Sequence, residues 1–323
     1  MAAPLYTDIN ILRGGPNLTD VIDLGIELGF EQFAINHVVS SLQGGKGKKN
    51  EKLVVPRPAE ILLNDESVKS IQKKCPSFKQ LSRFTAVLED AANTHRLGAA
   101  DIQAYDIIAV QVTNEKTFQL ACTTLDVDII CFNLSENLGF SLKRPMINMA
   151  AKRGIHFEIA YSPALQDNTV KRNTISNAMS LIRAGGGKNI ILSSGSQQPI
   201  DLRSPYDVIN LASLFGLSHS QAKDAICRNC RAVLKHAESR RSCKSVVSAI
   251  KSSNLTVREQ WILHQNVKGD NKTTETSDDD MESSDENDTT DVHGNLVDSQ
   301  RELCSGAEVA DVLGEPEKKK IKL

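Results

Sequence analysis

The sequence predicts an α/β fold: a TIM-barrel-like (β/α) barrel followed by a disordered acidic C-terminal tail. Three observations carry that prediction. Seven short apolar runs alternate with helical stretches at roughly 20–30-residue spacing, the pattern of a β/α chain. Several of those runs are almost continuously apolar, as strands of a parallel sheet covered on both faces must be. From about Asn266 the apolar pattern stops and Thr, Ser and acids take over, leaving almost nothing to bury. The domains read as 1–265 for the barrel and 266–323 for the tail. A barrel of this type closes with eight strands. Seven are legible, so the eighth is degenerate or hidden, and a doubly wound sheet is the alternative.

The elements follow in order. Leu5 to Ile11 alternates weakly and reads as the first strand. Leu18 to Leu28 carries Val21, Leu24, Gly25 and Leu28 at helical spacing and ends at Gly29. Gln32 to Val39 is the second strand; a loop of Gly44, Gly45 and Gly47 interleaved with Lys46, Lys48 and Lys49 follows. Leu81 to Leu88 and Ile107 to Val112 are the third and fourth strands, Glu115 to Thr123 a helix, and Ile129 to Phe132 the fifth strand. Phe157 to Tyr161 and Asn189 to Ser193 are the sixth and seventh. Between them Ile175, Ala178, Met179 and Ile182 keep the i, i+3, i+4, i+7 rhythm of a helix, which Gly185, Gly186 and Gly187 stop. Ser204-Pro205-Tyr206-Asp207 places Ser at an N-cap, Pro at N1 and an acid at N3. Ser218-His219-Ser220-Gln221 is a second capping box, opening one longer helix through Ala222, Ala225, Ile226, Val233 and Leu234.

Charge is unevenly distributed. Residues 269–323 hold sixteen acids and six bases, which leaves 24 acids and 32 bases before them. A basic body with an acidic tail suits a polyanionic partner. No apolar run reaches the 18 residues of a membrane span, and the N-terminus lacks the basic and apolar regions of a signal peptide, so no leader is expected. Seven cysteines without a framework suit a reducing compartment. Cys227 and Cys230 form a lone C-x-x-C without a second pair, and read as helix packing rather than a zinc site.

The strand ends where a barrel carries its chemistry offer Asn36, His37, Glu89, Asp90, Ser162, Ser193 and Ser194; Asp8, Asn10, His156, Glu158 and His236 add further donors. A stand-alone metal-dependent phosphoesterase of the polymerase-and-histidinol-phosphatase barrel type would use Asp8, His37, Glu158 and His236. Such sites place an H-x-H pair after the first strand, where this chain has Asp8-Ile9-Asn10, so an ordinary polar barrel mouth is the better reading. Neither G-x-S-x-G nor a phosphate loop occurs, and Gly185-Gly186-Gly187-Lys188 follows a helix rather than opening one. The basic residues are more telling. Lys143, Arg144, Arg172, Lys188 and Arg203 fall in loops or helix ends of the central stretch, near Lys152-Arg153 and Lys171. Arg228, Arg231, Lys235, Arg240, Arg241 and Lys244 follow on the last helix. Guanidinium forks suit phosphates. Aromatics make up only 4% of the chain, which favours phosphate and shape contact with a folded RNA over base stacking. Of these bases Lys143, Arg144, Arg172, Lys188, Arg203, Arg228 and Arg231 are the candidate RNA contacts.

The runs L-D-V-D-I-I, F-S-L-K-R-P-M-I-N, F-E-I-A-Y-S-P-A-L, R-N-T-I-S-N-A and R-S-P-Y-D-V-I-N-L-A-S-L-F-G-L-S, with F-A-I-N-H and N-C-R-A, closely resemble the p30 subunit family of ribonuclease P from about residue 5 to 245. The resemblance implies a TIM-barrel-like fold and a non-catalytic protein subunit of nuclear ribonuclease P and the related MRP particle. These particles remove the 5′ leader of precursor tRNA and process ribosomal RNA. It implies that the RNA with its Mg²⁺ ions does the chemistry and that the chain itself binds no cofactor. It further implies as partners the particle RNA, precursor tRNA, a small ferredoxin-like subunit, other subunits and a second copy of the chain, with residence in the nucleus and nucleolus. The tail lies outside the resemblance. There, Ser283 and Ser284 precede acids and are candidate phosphorylation sites, and Lys318, Lys319, Lys320 and Lys322 are a candidate nuclear-import signal.

Overall fold

The computed structural model describes residues 5–14, 18–42 and 55–242. Expectations for the glycine-lysine loop, Lys244, the boundary at 265 and 266, Ser283, Ser284 and the terminal lysines lie outside those residues.

Seven parallel strands run in sequence order around a nearly closed barrel. They are β1 (Thr7–Leu12), β2 (Gln32–Val39), β3 (Lys79–Leu88), β4 (Ile107–Val112), β5 (Ile129–Phe132), β6 (His156–Ala160) and β7 (Ile190–Ser193). The helices are α1 (Leu18–Glu27), α2 (Pro58–Ile61), α3 (Asp65–Lys74), α4 (Ala100–Gln103), α5 (Glu115–Thr123), α6 (Arg144–Lys152), α7 (Pro163–Gln166), α8 (Asn168–Gly185), α9 (Pro205–Leu214), α10 (His219–Ile226) and α11 (Arg228–Ser242). Outward-facing side chains such as Phe33, Ile35, Phe84, Val110, Phe157 and Ile159 join the helix faces in the larger core. A smaller core fills the barrel itself with Ile9, Ala34, Leu81, Ile107, Ala109, Ile129 and Ile191. Where α1 crosses β2 the contact is so close that a Cβ on Gly25 would come within 2.6 Å of the Phe33 ring.

The expected eighth strand is not used among the described residues. The end of β7 runs directly into the β1 edge: Gly195 N–H donates to Asn10 O and Leu12 N–H to Ser196 O, both 2.9 Å, and Ile11 bridges Ser196 in parallel. Residues 194–196 thus close the wall, and Ser194 Oγ donates to Asn10 O across the same seam.

The helix expected to run unbroken from Ser218 past Leu234 is two helices. The capping box at Ser218 and Gln221 starts α10, as read from the sequence. At Cys227 the backbone leaves the helical region (φ −128°, ψ −77°). The break follows from what the apolar residues must reach. Ala222, Ala225 and Ile226 belong to the outer core, whereas Cys230 and Val233 belong to the inner one, and no straight helix serves both. Beyond the break α11 passes under the N-terminal end of the barrel. Asn229 donates to Ile190 O at the start of β7 (2.7 Å), and Arg240 reaches Asp128 just before β5 (3.0 Å). Cys230 and Val233 are fully buried there, and a side chain of that size contributes about 1.5–3 kcal/mol. The cysteine pair of the C-x-x-C therefore packs helices, as its lone spacing predicts.

Helix stops and starts match their chemistry elsewhere. Gly186 caps α8 with φ +64°, a left-handed conformation that glycine adopts without strain. Ser204 Oγ accepts the Asp207 N–H at the start of α9. Lys143-Arg144-Pro145, expected in a loop or at a helix end, opens α6, with proline in the first turn, where its missing N–H costs nothing.

Candidate functional site

Barrels of this class carry function at the C-terminal ends of their strands, and the interior just below those ends is ionic here. Arg83 on β3 faces Glu158 on β6. Nη1 donates to Oε1 at 2.6 Å and Nη2 to Oε2 at 2.5 Å, with the two side chains 1% and 2% exposed. The other guanidinium hydrogens go to Ile9 O (2.9 Å), Cys131 Sγ (3.2 Å) and Thr85 Oγ1 (3.1 Å). All five donors of the fork are thereby spent. Glu158 takes two more bonds, from Ser193 Oγ (2.6 Å) and Cys131 Sγ (2.9 Å). Burial resists its charge, but the Arg83 guanidinium and the surrounding donors outweigh burial and hold the carboxyl below its ordinary value. Burial likewise opposes charge on Arg83, and Glu158 beside it keeps the guanidinium protonated.

A ladder of neutral groups climbs from the pair toward the mouth. Thr85 Oγ1 donates to Asn36 Oδ1, and Asn36 Nδ2 to Asn10 Oδ1, both 2.8 Å. Above lies a cavity of about 240 Å³ whose lining includes Asn10, Asn36, Gln111, Phe132, Asn133 and Leu134. A carboxylate with four donors on it is not free to act as a base or to grip a cation. The mouth offers hydrogen bonds from uncharged groups instead.

The residues of the phosphoesterase alternative are not brought together. Asp8 sits in the β1–β7 seam, its Oδ1 taking the N–H groups of Asn10 (3.1 Å) and Ser194 (3.2 Å). Its buried Oδ2 has no partner among the described residues, and burial pushes the carboxyl up to about 6. His37 is only partly buried and lies 6.3 Å from the Phe84 ring, on the outer side of β2. His236 is at the opposite end of the barrel. Its Nδ1 lies 2.7 Å from Asp128 Oδ1 and its Nε2 3.1 Å from Arg153 O. His156 Nδ1 faces Gly154 O (3.0 Å), and burial pushes the ring down to about 4. Glu89 and Asp90 are exposed on the loop after β3. Among the described residues no group of three or more His, Cys, Asp or Glu is placed to hold a metal.

Six of the seven candidate RNA contacts divide between the two ends. Lys143 and Arg144 open α6 after β5, and Arg172 lies in the first turns of α8 after β6, so all three belong to the C-terminal end; each is exposed. Lys143 pairs with Glu115 at 2.6 Å, but both side chains are more than half exposed, and such a pair contributes little. Lys188 precedes β7, and Arg228 and Arg231 begin α11, which puts these exposed bases at the N-terminal end. Arg203 is partly buried and turns its guanidinium onto the carbonyls of Ile200 (2.7 Å) and Leu202 (2.6 Å). Three other basic residues that the sequence offered as surface charge are engaged with neighbouring groups of the chain. Arg153 donates to the carbonyls of Ala121, Cys122 and Leu125, Arg240 has a 2%-exposed side chain on Asp128, and Arg241 pairs with Asp106 at 2.7 Å.

Arg83, Cys131, Gln111 and Asn133 were not singled out from the sequence. Arg83 had a signal: a cation inside the apolar run Leu81 to Leu88 is costly unless paired, so it announces a buried carboxylate somewhere in the chain.

Comparison with known proteins agrees with this architecture. A mouse protein named ribonuclease P protein subunit p30 is 40% identical over 247 residues, spanning 76% of this chain and 87% of its own. The ribonuclease P/MRP protein subunit RPP1 of Saccharomyces cerevisiae is 29% identical over 221 residues, 68% of this chain and 72% of its own. A chain in a cryo-EM structure of archaeal ribonuclease P with mature tRNA superposes with a TM-score of 0.52, covering 76% of this chain and 98% of that one at 14% identity, a likeness of fold alone. The family described as RNase P subunit p30 matches residues 5–242, the whole of the described barrel, and the chain belongs to that family.

Proposed function

We propose that this chain, a ribonuclease P subunit by its family, braces the RNA of the particle and performs no chemistry of its own. The observation that carries this reading is the closed Arg83–Glu158 pair. The carboxylate at the heart of the barrel is neutralised by a built-in cation and four hydrogen bonds, an arrangement suited to rigidity rather than turnover. Exposed bases at both ends of the barrel support contact with phosphates, Lys143, Arg144 and Arg172 at one end and Lys188, Arg228 and Arg231 at the other; Arg203 is the seventh candidate. In this reading the 5′ leader of precursor tRNA is removed, and ribosomal RNA processed in the MRP particle, by the partner RNA with its Mg²⁺.

The remaining partners are a small ferredoxin-like subunit, other ribonuclease P proteins and a second copy of this chain. The barrel domain, residues 1–265, carries the assembly. The acidic tail, 266–323, carries nuclear and nucleolar address through Lys318, Lys319, Lys320 and Lys322, and phosphorylation at Ser283 and Ser284.

The test is a pull-down of the tagged chain from nuclear extract, with the bound RNA sequenced and the eluate assayed on precursor tRNA. One enriched RNA with leader-removing activity, the purified chain alone being inert, is the expected result. Metal-dependent hydrolysis of phosphate esters by the chain alone would overturn it.

A further inference from the structure

The cavity at the C-terminal mouth has a donor set that no part of the phosphate-bracing reading uses. Three of its carboxamides keep hydrogen-bonding capacity in reserve. Asn10 spends its oxygen on Asn36, and Asn133 spends its oxygen on the Ser135 N–H. Neither NH₂ group has a partner among the described residues, and neither counts among the atoms sealed away without one. Gln111, on the inward face of β4, has a carboxamide without a hydrogen-bond partner at either end among the described residues. The three converge on one space of about 240 Å³, walled by Phe132, Leu134 and other apolar groups.

The ionisable side chains lining this space are Arg83, Glu158 and the Cys131 thiol, and the three are occupied with one another. A phosphate would find no free cation and a metal no free carboxylate. What fits is a neutral, flat group presenting carbonyl oxygens and ring nitrogens at its edge and an apolar face to the walls. The volume lies below the ~300–1,000 Å³ of sites for drug-sized ligands, which limits the guest to a single ring system. We infer that the barrel mouth is a receptor for one unstacked nucleobase, its edge read by Asn10, Gln111 and Asn133.

This rests on the RNA-bracing reading for its source. An RNA held by Lys143, Arg144 and Arg172 on the same end of the barrel has its loops and bulges beside the mouth, and proteins read unpaired bases by hydrogen bonds to their edges. The shared chemistry is a nucleobase, delivered either on RNA or as a free nucleoside.

The experiment measures anisotropy of the full chain with a short single-stranded oligoribonucleotide and with its abasic counterpart. It also follows the side-chain amide NMR signals of Gln111 and Asn133 as free nucleosides are added. Gln111→Leu and Asn133→Leu are expected to weaken binding of the base-bearing oligonucleotide about tenfold each, leaving the abasic strand and the salt dependence unchanged. Equal affinities of wild type and variants for both strands would overturn the inference while leaving phosphate bracing intact. Should neither strand bind at all, the nucleoside arm decides: shifted amide signals keep the receptor with a free nucleoside as guest, unmoved signals overturn it, and the bracing reading stands or falls on its own pull-down. The NMR arm uses the unmodified chain, so a variant that misfolds does not rescue the inference.

Discussion

Arg83 and Glu158, separated by 75 residues in sequence, meet as two parallel N–H···O bonds of 2.6 and 2.5 Å inside the barrel. The pair joins β3 to β6, which are not neighbours in the sheet, so it ties together two walls that no backbone ladder connects. Taking both charges out of water is costly, and fork-to-fork geometry with every remaining lone pair and hydrogen satisfied is what offsets that cost.

The first prediction follows from that balance. Arg83→Met leaves Glu158 buried without its cation and should lower stability by about 3–5 kcal/mol in urea unfolding. Arg83→Met with Glu158→Met removes both charges and should recover most of the loss, because an apolar pair of similar volume has no charge to desolvate. A double variant as unstable as the single one would mean that the pair adds net stability in its own right.

The second concerns His236, which with Arg240 anchors α11 on Asp128. Both ring nitrogens face acceptors, Asp128 Oδ1 and Arg153 O, so the ring is best satisfied when both are protonated. The hydrogen bond to Asp128 raises its pKa above the ordinary 6.5 despite the opposing effect of burial. A raised folded value means the contribution is fully present below 6.5 and fades as pH climbs through the higher folded value. Unfolding free energy measured across that interval should fall in the wild type, and His236→Gln should flatten the slope. An unchanged slope in the variant would assign the pH dependence elsewhere.

The third concerns Asp8, whose buried carboxyl sits at about 6 in the folded chain against an ordinary 3.8. A raised acid favours the folded state at low pH and becomes a burden once pH passes the folded value and the group must ionise in the seam. Asp8→Asn keeps an oxygen for the Asn10 and Ser194 N–H groups and has no charge to bury. It should match the wild type at pH 4 or below and exceed it by roughly 2–3 kcal/mol at pH 8, read from urea midpoints at the two pH values.

These sites also mark the limits of what the chain discloses before it folds. β2, β4, β5 and α5 have the bounds their apolar runs indicate, because a strand buried on both faces and a capped amphipathic helix are local patterns. α3 escaped notice since it buries only Ile71; its charges, acids first and lysines last, suit its dipole but leave almost no apolar stripe. The bend at Cys227 is invisible for a different reason. The apolar rhythm continues through it, and only the position of the barrel's open end decides that Val233 must point into the barrel. Asn10, Asn36 and Glu158 could be named as polar strand residues, yet the partner of Glu158 is fixed by which strands face each other across seven. That is a property of closure and not of any local window. The separation of Arg228 and Arg231 from Arg144 and Arg172 follows from closure as well.

That separation sets the last prediction. An RNA helix lying on one end of the barrel touches one group of bases and leaves the other in water. Each phosphate neutralised contributes about 0.9 to the log–log salt slope for a duplex and about 0.7 for a single strand. Arg144→Ala with Arg172→Ala should therefore flatten the slope by about 1.4–1.8 if the particle RNA crosses the C-terminal end, and Arg228→Ala with Arg231→Ala should do the same if it crosses the N-terminal end. Both double variants remove exposed side chains that make no ion pair among the described residues, so neither should disturb the fold. A flattened slope in only one pair assigns the RNA to that end and leaves the other free for protein partners. Flattening in both would require the RNA to wrap the barrel from end to end. A slope unchanged in both removes all four arginines from the interface and leaves Lys143, Lys188 and Arg203 as the remaining candidates.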